Sequence, residues 1–496
     1  MRYLSTRDKN VRLTAAQAIA QGLASDGGLF VPEVIPSISK EQLSSICEMR
    51  YAQRAQYVMS LFLKDFTNFE LSDFTERAYN TTGFDTAEIA PVHQLEANTW
   101  FLELWHGPTS AFKDMALQML PHLLQASLEK TGESKQVVIL VATSGDTGKA
   151  ALEGFCDVDK TKILVFYPKD GVSEVQELQM TTQKGENVCV CAVRGNFDDA
   201  QTGVKEIFSD KDFAKLLGDR GYFLSSANSI NWGRLLPQIV YYFSAYCDLI
   251  TAGRITPGDK VNFAVPTGNF GNILAGYYAK LMGLPVGKLI CASNANNVLT
   301  DFIQTGTYDR NRAFHTTLSP SMDILVSSNL ERLLFSLSGE DDVEIKGYFD
   351  ALAKTGQYTV SPAIQEKVRQ FFWAGFADDA RTKAQIKQTY TEENYLMDTH
   401  TAVAQAVLED YRRETGDDTV TVVVSTASPY KFADSVIESL GESQVEEGLA
   451  VLAQLSELTN TPIPAPLAGL AGQAPRFEQV LERGGLKGAV EEFLGL

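Results

Sequence analysis

Short runs of apolar and β-branched residues alternate with helical segments from residue 136 onward, and this alternation limits the possible folds more than any other feature. The clearest run, 136–142 (QVVILVA), is continuously apolar, as expected for a parallel strand that is buried on both faces. Further strands are predicted at 163–166, 187–193, 260–265, 289–292 and 419–425, with helices between them. Strands and helices in this order predict an α/β protein with largely parallel sheets.

The length predicts more than one unit, because 496 residues are too many for one simple core. We predict an α/β fold with two lobes of largely parallel, twisted sheets flanked by helices, plus a mainly helical N-terminal domain. That domain is predicted at 1–90, where apolar residues recur at helical spacing. The small lobe is predicted at 111–195, and the large lobe at 91–110 and 196–496.

The composition narrows the class of partner. A net charge of −19 argues against nucleic acid and anionic membranes as general partners, although local donors could still hold a small anion. The sequence contains no apolar run long enough to span a membrane and no signal peptide at its start, so we expect a cytoplasmic protein. The six cysteines show no metal-binding spacing, and we expect no metal.

Lys113 lies in an unusually apolar neighbourhood for a lysine. A Gly107-Pro108 turn precedes it, and a helical segment at 114–124 follows it. Desolvation disfavours the ammonium form, and a lysine with a lowered pKa can form a Schiff base. The alternative is a lysine at a helix start whose side chain extends to solvent.

Two glycine-rich loops follow predicted strands and open helices. Gly268, Asn269, Phe270, Gly271 and Asn272 form the first, where backbone N–H groups and the helix dipole could bind a phosphate. The alternative is a tight turn whose glycines serve geometry alone.

Ser144, Gly145, Asp146 and Thr147 form the second loop. Its spacing does not fit a P-loop, which excludes that class of kinase, and a carboxylate is the better ligand. Thr426 ends the last strand, where its hydroxyl could meet a ring nitrogen or cap the next helix. A Schiff-base lysine beside a phosphate loop predicts pyridoxal phosphate as the cofactor.

Motifs along nearly the whole chain carry a family resemblance. They are YLSTR (3–7), GLASDGGLFVP (22–32), HGPTSAFKD (106–114), ATSGDTGKAA (142–151), QMTTQ (179–183), SSANSINWGRLLPQ (225–238), PTGNFGN (266–272), DTHTAVA (398–404) and STASPYKF (425–432). With these motifs the sequence resembles pyridoxal-phosphate enzymes of the tryptophan-synthase-like fold, and among them the longer threonine synthases of fungi and many bacteria.

The resemblance implies a role for each loop. Lys113 would hold the cofactor, residues 268–272 would bind its phosphate, and Thr426 would face its ring nitrogen. Residues 144–147 would receive the substrate carboxylate. Ser428 stands where many members carry histidine, so any role of that histidine does not transfer.

The resemblance also implies the reaction, in which O-phospho-L-homoserine loses phosphate and gains water to give L-threonine. Arg234, Ser226, Asn228 and Lys184 are the candidates for binding the substrate phosphate, and each could equally be an ordinary polar surface or turn residue. We expect a monomer without a regulatory domain.

Other functions remain open at this point. A phospho-lyase on the same fold would release 2-oxobutanoate and ammonia, and the loops do not distinguish it from a synthase. A serine/threonine dehydratase fits less well because of the long N-terminal region. An interaction protein without the cofactor would have no need of Lys113 or of the loop at 268–272.

Overall fold

The computed structural model describes residues 1–446 and 448–496, and the side chain of Asp198 lies outside this description. Its strands are β1 (Tyr3–Ser5), β2 (Asp8–Leu13), β3 (Phe30–Pro32), β4 (Val92–Glu96), β5 (Thr99–Glu103), β6 (Gln136–Ala142), β7 (Thr161–Pro168), β8 (Val188–Val193), β9 (Tyr222–Ser225), β10 (Val261–Pro266), β11 (Val286–Ser293), β12 (Thr307–Asp309), β13 (Gln357–Thr359), β14 (Phe372–Phe376), β15 (Thr421–Ser425) and β16 (Val480–Leu481).

Helices make up most of the remaining regular structure. They are α1 (Ala15–Gln21), α2 (Lys40–Cys47), α3 (Tyr51–Phe62), α4 (Asn68–Ala78), α5 (Asp114–Leu117), α6 (Leu120–Thr131), α7 (Asp146–Phe155), α8 (Glu174–Thr181), α9 (Phe197–Ser209), α10 (Lys211–Asp219), α11 (Trp232–Thr251), α12 (Gly271–Leu281), α13 (Val298–Thr305), α14 (Leu330–Leu337), α15 (Asp342–Thr355), α16 (Pro362–Phe371), α17 (Asp379–Glu393), α18 (Thr399–Thr415), α19 (Ala433–Leu440), α20 (Ala450–Thr459), α21 (Ala465–Ala468) and α22 (Leu486–Leu494), with 3₁₀ turns at Pro320–Met322 and Pro429–Phe432.

The larger sheet has six strands in the order β14-β11-β10-β15-β5-β4. Only the edge pair β4–β5 is antiparallel among these described strands. Every residue of β10 and β15 is buried, because helices cover both faces of the sheet. The predicted α/β fold with largely parallel sheets is therefore confirmed.

The smaller sheet has five parallel strands in the order β16-β8-β7-β6-β9. It includes β9 and β16, which lie outside the predicted small lobe at 111–195. Both are short strands at the edges of the sheet, so their sequences carry little strand signal. The division of the chain into the three predicted domains stays a prediction, but a boundary at 195 cuts this sheet.

The N-terminal region is mainly helical, as predicted, and also contains a small antiparallel sheet in the order β2-β1-β3. Strand β2 (DKNVRL) is polar and largely exposed, which explains why its sequence did not predict a strand. Helices α2 and α3 pack against α11, a long helix that is buried almost throughout. Among the described residues, no helix combines the length and apolar character needed to cross a membrane.

Gly154, near the end of α7, marks a close helix contact that can be tested. A Cβ atom at this position would lie 2.1 Å from the Leu117 carbonyl oxygen. We expect Gly154→Ala to lower the free energy of unfolding by about 1–3 kcal/mol through overpacking, measured by urea denaturation.

Gly347 is the matched control, since it lies within helix α15 and a Cβ there would meet nothing within 4 Å. Gly347→Ala should raise the free energy of unfolding by about 0.4–1 kcal/mol. Equal effects of the two substitutions would contradict the proposed close contact.

Candidate active site

The carboxyl ends of three adjacent parallel strands, β5, β15 and β10, meet at one edge of the larger sheet. The loops after these strands carry Lys113, Thr426 and residues 268–272 respectively. The first two loops are joined directly, because the Phe112 N–H donates to the Thr426 carbonyl at 2.8 Å. Ligands of parallel α/β proteins bind at this edge, so three of the predicted groups face one region.

Lys113 is buried, with 8% of its surface exposed. Its Nζ donates to Ser321 Oγ at 3.2 Å and lies 4.0 Å from Asp146 Oδ2. Burial lowers the pKa of Lys113 to about 8, while the charge of Asp146 opposes this shift. About a tenth of the amine is therefore unprotonated at pH 7 and about half at pH 8, which supplies the free amine that a nucleophile or base requires. The helix predicted at 114–124 is interrupted, since α5 ends at Leu117 and α6 begins at Leu120.

The loop at 268–272 has a backbone that requires its glycine. A Cβ on Gly268 would lie 2.6 Å from the Ser321 carbonyl oxygen, and Phe270 adopts a left-handed φ of 63° just before α12 begins. The Gly268 carbonyl accepts from Ser327 Oγ, and the Asn269 carbonyl accepts from the Asn329 N–H. Neither contact uses the first N–H groups of α12, which have no partner within the helix and remain available to an anion.

Asn272 supplies a further donor at the start of α12. Its Oδ1 accepts from the hydroxyls of Tyr241 and Tyr242 at 2.7 and 2.8 Å, which fixes the orientation of the amide. Its Nδ2 is then buried and has no partner among the described residues. A buried donor without a partner is costly, so this geometry indicates an acceptor supplied by a ligand.

The loop at 144–147 follows β6 on the smaller sheet. Gly145 has a φ of 126°, and a Cβ there would lie 2.4 Å from the Gln176 side chain. Asp146 is buried, accepts from Gln176 Nε2 at 2.8 Å and pairs with Lys431 Nζ at 2.9 Å. Although burial alone would raise it, Lys431 and Lys113 hold the pKa of Asp146 well below its usual value.

An ionised Asp146 changes the interpretation of this loop. A negative side chain cannot bind a substrate carboxylate, so Asp146 could contribute to the predicted carboxylate site only through its backbone N–H. Ser144 and Thr147 are half-buried and retain hydroxyls that can serve as donors.

The loop after β9 brings three of the candidate phosphate ligands together. The Arg234 guanidinium donates to the Ala227 carbonyl, between Ser226 and Asn228, and Ser226 Oγ accepts from the Asn228 N–H at 3.1 Å. No carboxylate of the described residues pairs with Arg234, its Nε has no partner, and burial lowers the pKa of its guanidinium to about 10. A buried guanidinium without a counter-ion indicates an anion site.

Lys184, the fourth candidate, is exposed on the turn after α8. Its carbonyl accepts from Cys156 Sγ and Gln183 Nε2. Its participation in phosphate binding stays a prediction.

Several side chains of the site were not predicted. Lys431 and His400 lie in motifs that carry the resemblance, but neither was assigned a role. Ser321 had no sequence signal, because only the fold brings it to Lys113. His400 Nε2 accepts from the Ser321 N–H at 3.2 Å, so its Nδ1 carries the proton and donates to Asp398 Oδ1 at 2.9 Å. This pair therefore holds Ser321 against the Lys113 amine.

His106 anchors the start of the lysine loop. Its two ring nitrogens contact Asp85 and Glu103, and its ring stacks on Trp105. Burial lowers the pKa of His106, but the two carboxylates outweigh burial and raise it to about 9. The protonated imidazole thus ties the loop to strand β5 and to the N-terminal region.

Comparison with known protein families gives three matches that follow one another along the chain. Residues 2–79 match Threonine synthase N terminus, residues 85–364 match Pyridoxal-phosphate dependent enzyme, and residues 401–490 match Threonine synthase, C-terminal.

Curated relatives and solved structures agree with these matches. The chain is 42% identical to Threonine synthase-like 1 of Pongo abelii over 90% of its length, and it spans about three fifths (61%) of that relative. It is 42% identical to Threonine synthase of Pseudomonas aeruginosa, covering 92% of this chain and 94% of that one. The solved structure of Threonine Synthase from Yeast superimposes with a TM-score of 0.88 at 35% identity, covering 100% and 99% of the two chains.

Protonation of His106 predicts a pH dependence of stability. Because its pKa is raised from about 6.5 to about 9 on folding, its contribution is complete below pH about 6.5 and is lost as the pH rises to about 9. Between these pH values we expect the free energy of unfolding of the parent protein to fall by about 1 kcal/mol more than that of His106→Gln, after allowing for solvent screening.

Urea denaturation of the apoprotein at several pH values would measure this difference. His122→Gln is the control, because burial lowers the pKa of His122 to about 4 and the residue is neutral throughout the range. Lys113 titrates in the parent and in both variants, so its contribution to the pH dependence cancels when their free energies of unfolding are compared. Parallel pH profiles for the parent and His106→Gln would contradict the proposed anchor.

Proposed function

The chain belongs to the threonine synthase family of pyridoxal-phosphate dependent enzymes, and from this premise we propose that it converts O-phospho-L-homoserine and water to L-threonine and phosphate. The observation that carries the proposal is the position of Lys113. Its buried amine, with a pKa lowered to about 8, lies 4.0 Å from Asp146 in the loop at 144–147, and Ser321 connects it to the loop at 268–272. The buried Arg234, with which no carboxylate of the described residues pairs, also acts on this amine.

The residues present fit pyridoxal phosphate. The loop at 268–272 offers helix N–H groups and the unpartnered Nδ2 of Asn272 to its phosphate. Ser321 touches both this loop and the Lys113 amine, so the phosphate site and the lysine are held at one place. Gly268, Asn269, Phe270, Gly271 and Asn272 would bind the phosphate, and Thr426 would meet the ring nitrogen. When bound, the cofactor supplies an electron sink for negative charge at the substrate carbons.

Lys113 would move the protons of the reaction. With a pKa near 8, its amine can accept the proton from the substrate Cα and return protons to neighbouring carbons at physiological pH. Ser321 Oγ, 3.2 Å from Nζ, orients the amine. The Thr426 hydroxyl is neutral, so it would bind a ring nitrogen without giving it a full proton.

The two anion sites would hold the two ends of the substrate. The loop of Ser144, Gly145, Asp146 and Thr147 would receive the carboxylate through hydroxyl and N–H donors. Arg234, with Ser226 and Asn228, would bind the phosphate and stabilise its charge as it leaves Cγ. Lys184 remains a fourth candidate from the sequence. Because Arg234 is buried, its charge is poorly screened by water and can act strongly on the leaving group.

The surroundings of the enzyme belong to the same proposal. We infer a cytoplasmic monomer that binds a small-molecule substrate and has neither a nucleic-acid nor a membrane partner, supported by the net charge of −19. Size-exclusion chromatography with light scattering would test the monomer.

The products distinguish the synthase from a phospho-lyase. Purified protein loaded with pyridoxal phosphate and given O-phospho-L-homoserine should release threonine and phosphate in equal amounts, without 2-oxobutanoate. Lys113→Ala should lose at least about 10³-fold in kcat, because the base that moves the protons is gone. Phosphate accompanied by 2-oxobutanoate would identify a lyase on this scaffold. If the protein released neither threonine nor 2-oxobutanoate, the assignment would be contradicted.

Arg234 should act on the substrate rather than on the cofactor. We expect Arg234→Gln to lower kcat/KM by about 100-fold or more, since a charge-assisted contact to the phosphate is lost in a buried site. Cofactor affinity, measured by titrating the apoprotein, should change less than about 3-fold. Lys184→Ala is the comparison, and its exposed charge should lower kcat/KM by less than about 10-fold. Equal losses for the two variants would contradict the assignment of Arg234.

A further inference from the structure

Lys431 is a completely buried lysine that the proposed mechanism leaves without a role. It lies in the Pro429–Phe432 turn after strand β15 and has 0% exposure. Its Nζ lies 2.9 Å from Asp146 Oδ1 and donates to the Thr109 carbonyl, also at 2.9 Å. A buried ammonium is rare, and a buried ion pair is a weak source of stability, so the position of this lysine requires another explanation.

Lys431 connects the three loops that build the site. It extends from the loop after β15, binds the loop after β5 through Thr109, and binds the loop after β6 through Asp146. Thr109 is itself fixed, because its N–H and hydroxyl donate to the Asp114 carboxylate at 2.8 and 2.7 Å. One ammonium group therefore joins the loop that carries the reactive lysine to a loop of the other sheet.

We propose that Lys431 is a positioning residue of the active site, which holds Asp146 as a carboxylate beside the Lys113 amine and balances its charge. The proposal rests on the proposed function only in that Lys113 is the reactive amine.

The charges around Lys113 explain why a pair is needed. Asp146 faces Nζ from the start of α7, while Arg234 on α11 and Lys431 act on it as like charges. The uncharged neighbours of Nζ include the Ser321 hydroxyl and the Phe112 ring. Asp146 alone would favour the ammonium form of Lys113, and Arg234 with Lys431 alone would favour the free amine.

Further charged and polar groups face the pair. Asp146 is also influenced by His400 and accepts from Gln176, and Lys431 acts on the carboxylate of Asp114. Within the described residues, Asp146 is the carboxylate that pairs with both lysines. Neutralising Asp146 should therefore lower the pKa of Lys113, whereas neutralising Lys431 should raise it.

The test follows the reaction of the apoprotein with pyridoxal phosphate as a function of pH. Only the unprotonated amine forms the covalent bond, so the rate should rise with pH and be half-maximal at the pKa of Lys113. Bond formation is trapped by borohydride reduction and counted by mass. This readout involves neither substrate nor product, so it is independent of whether the enzyme makes threonine.

Four variants make the experiment specific. Asp146→Asn should lower the pH midpoint by about one unit or more, and Lys431→Met should raise it by a smaller amount, because Asp146 acts on Lys113 more strongly than Lys431 does. The midpoint of the double variant Asp146→Asn/Lys431→Met should lie between those of Asp146→Asn and the parent protein. Lys149→Met is the control, since Lys149 lies on α7 with Asp146 but pairs with Glu153. The pH midpoint of this variant should equal that of the parent.

Opposite shifts of the two single variants, with the double variant between Asp146→Asn and the parent, support the proposal. Shifts of the two single variants in the same direction, or an unchanged midpoint in Lys431→Met, would overturn it. If Lys431→Met does not fold, the comparison of Asp146→Asn with the double variant decides, and identical midpoints for these two would overturn the proposal.

Discussion

The burial of charged side chains at the junction of two sheets is the constraint on which the rest of this structure depends. Lys113, Lys431, Arg234 and Asp146 all lie out of water, and ions in that environment persist only where neighbours hold them. Asp146 lies beside two of the cations, Lys113 and Lys431, whereas Arg234 donates to a carbonyl and pairs with no carboxylate of the described residues. The excess positive charge favours phosphorylated and carboxylated ligands, so the fold prepares the site before any ligand arrives.

The N-terminal region contacts residues that position the loop at 268–272, although the two are far apart in the sequence. Arg332, completely buried, donates to the Phe30 carbonyl of β3 and to the Ile230 carbonyl just before α11. Its neighbour Glu331 accepts from the Thr6 hydroxyl and pairs with Arg7. These contacts fix the segment at 327–329, whose Ser327 hydroxyl and Asn329 N–H donate to carbonyls of the loop at 268–272. The motifs YLSTR and GLASDGGLFVP therefore contribute structure to the site without supplying a reactive group.

Much of this arrangement could be predicted from the sequence, and the remainder could not for physical reasons. The strand at 136–142 was predicted at its observed bounds, because a parallel strand buried on both faces has a continuous apolar sequence. The loops at 144–147 and 268–272 were found because glycines at a strand-to-helix turn carry a local signal. Ser321 and β16 were missed, since their positions depend on tertiary packing and pairing with distant segments. Lys431 stood in a recognised motif, yet only its burial against Asp146 gives it a function.

The protein as a whole is negatively charged, whereas its candidate active site contains several buried positive side chains. A net charge of −19 would repel a phosphorylated ligand at long range, and salt at physiological concentration limits this repulsion to about 8 Å. Buried cations are screened far less, so their attraction for an anion is strongest inside the cleft. Steering by the overall field thus cannot speed association, and selectivity depends on contacts inside the cleft. The burial of Lys113, Lys431 and Arg234 places their charges inside the cleft, whereas the charge of Lys184 is exposed and screened by salt.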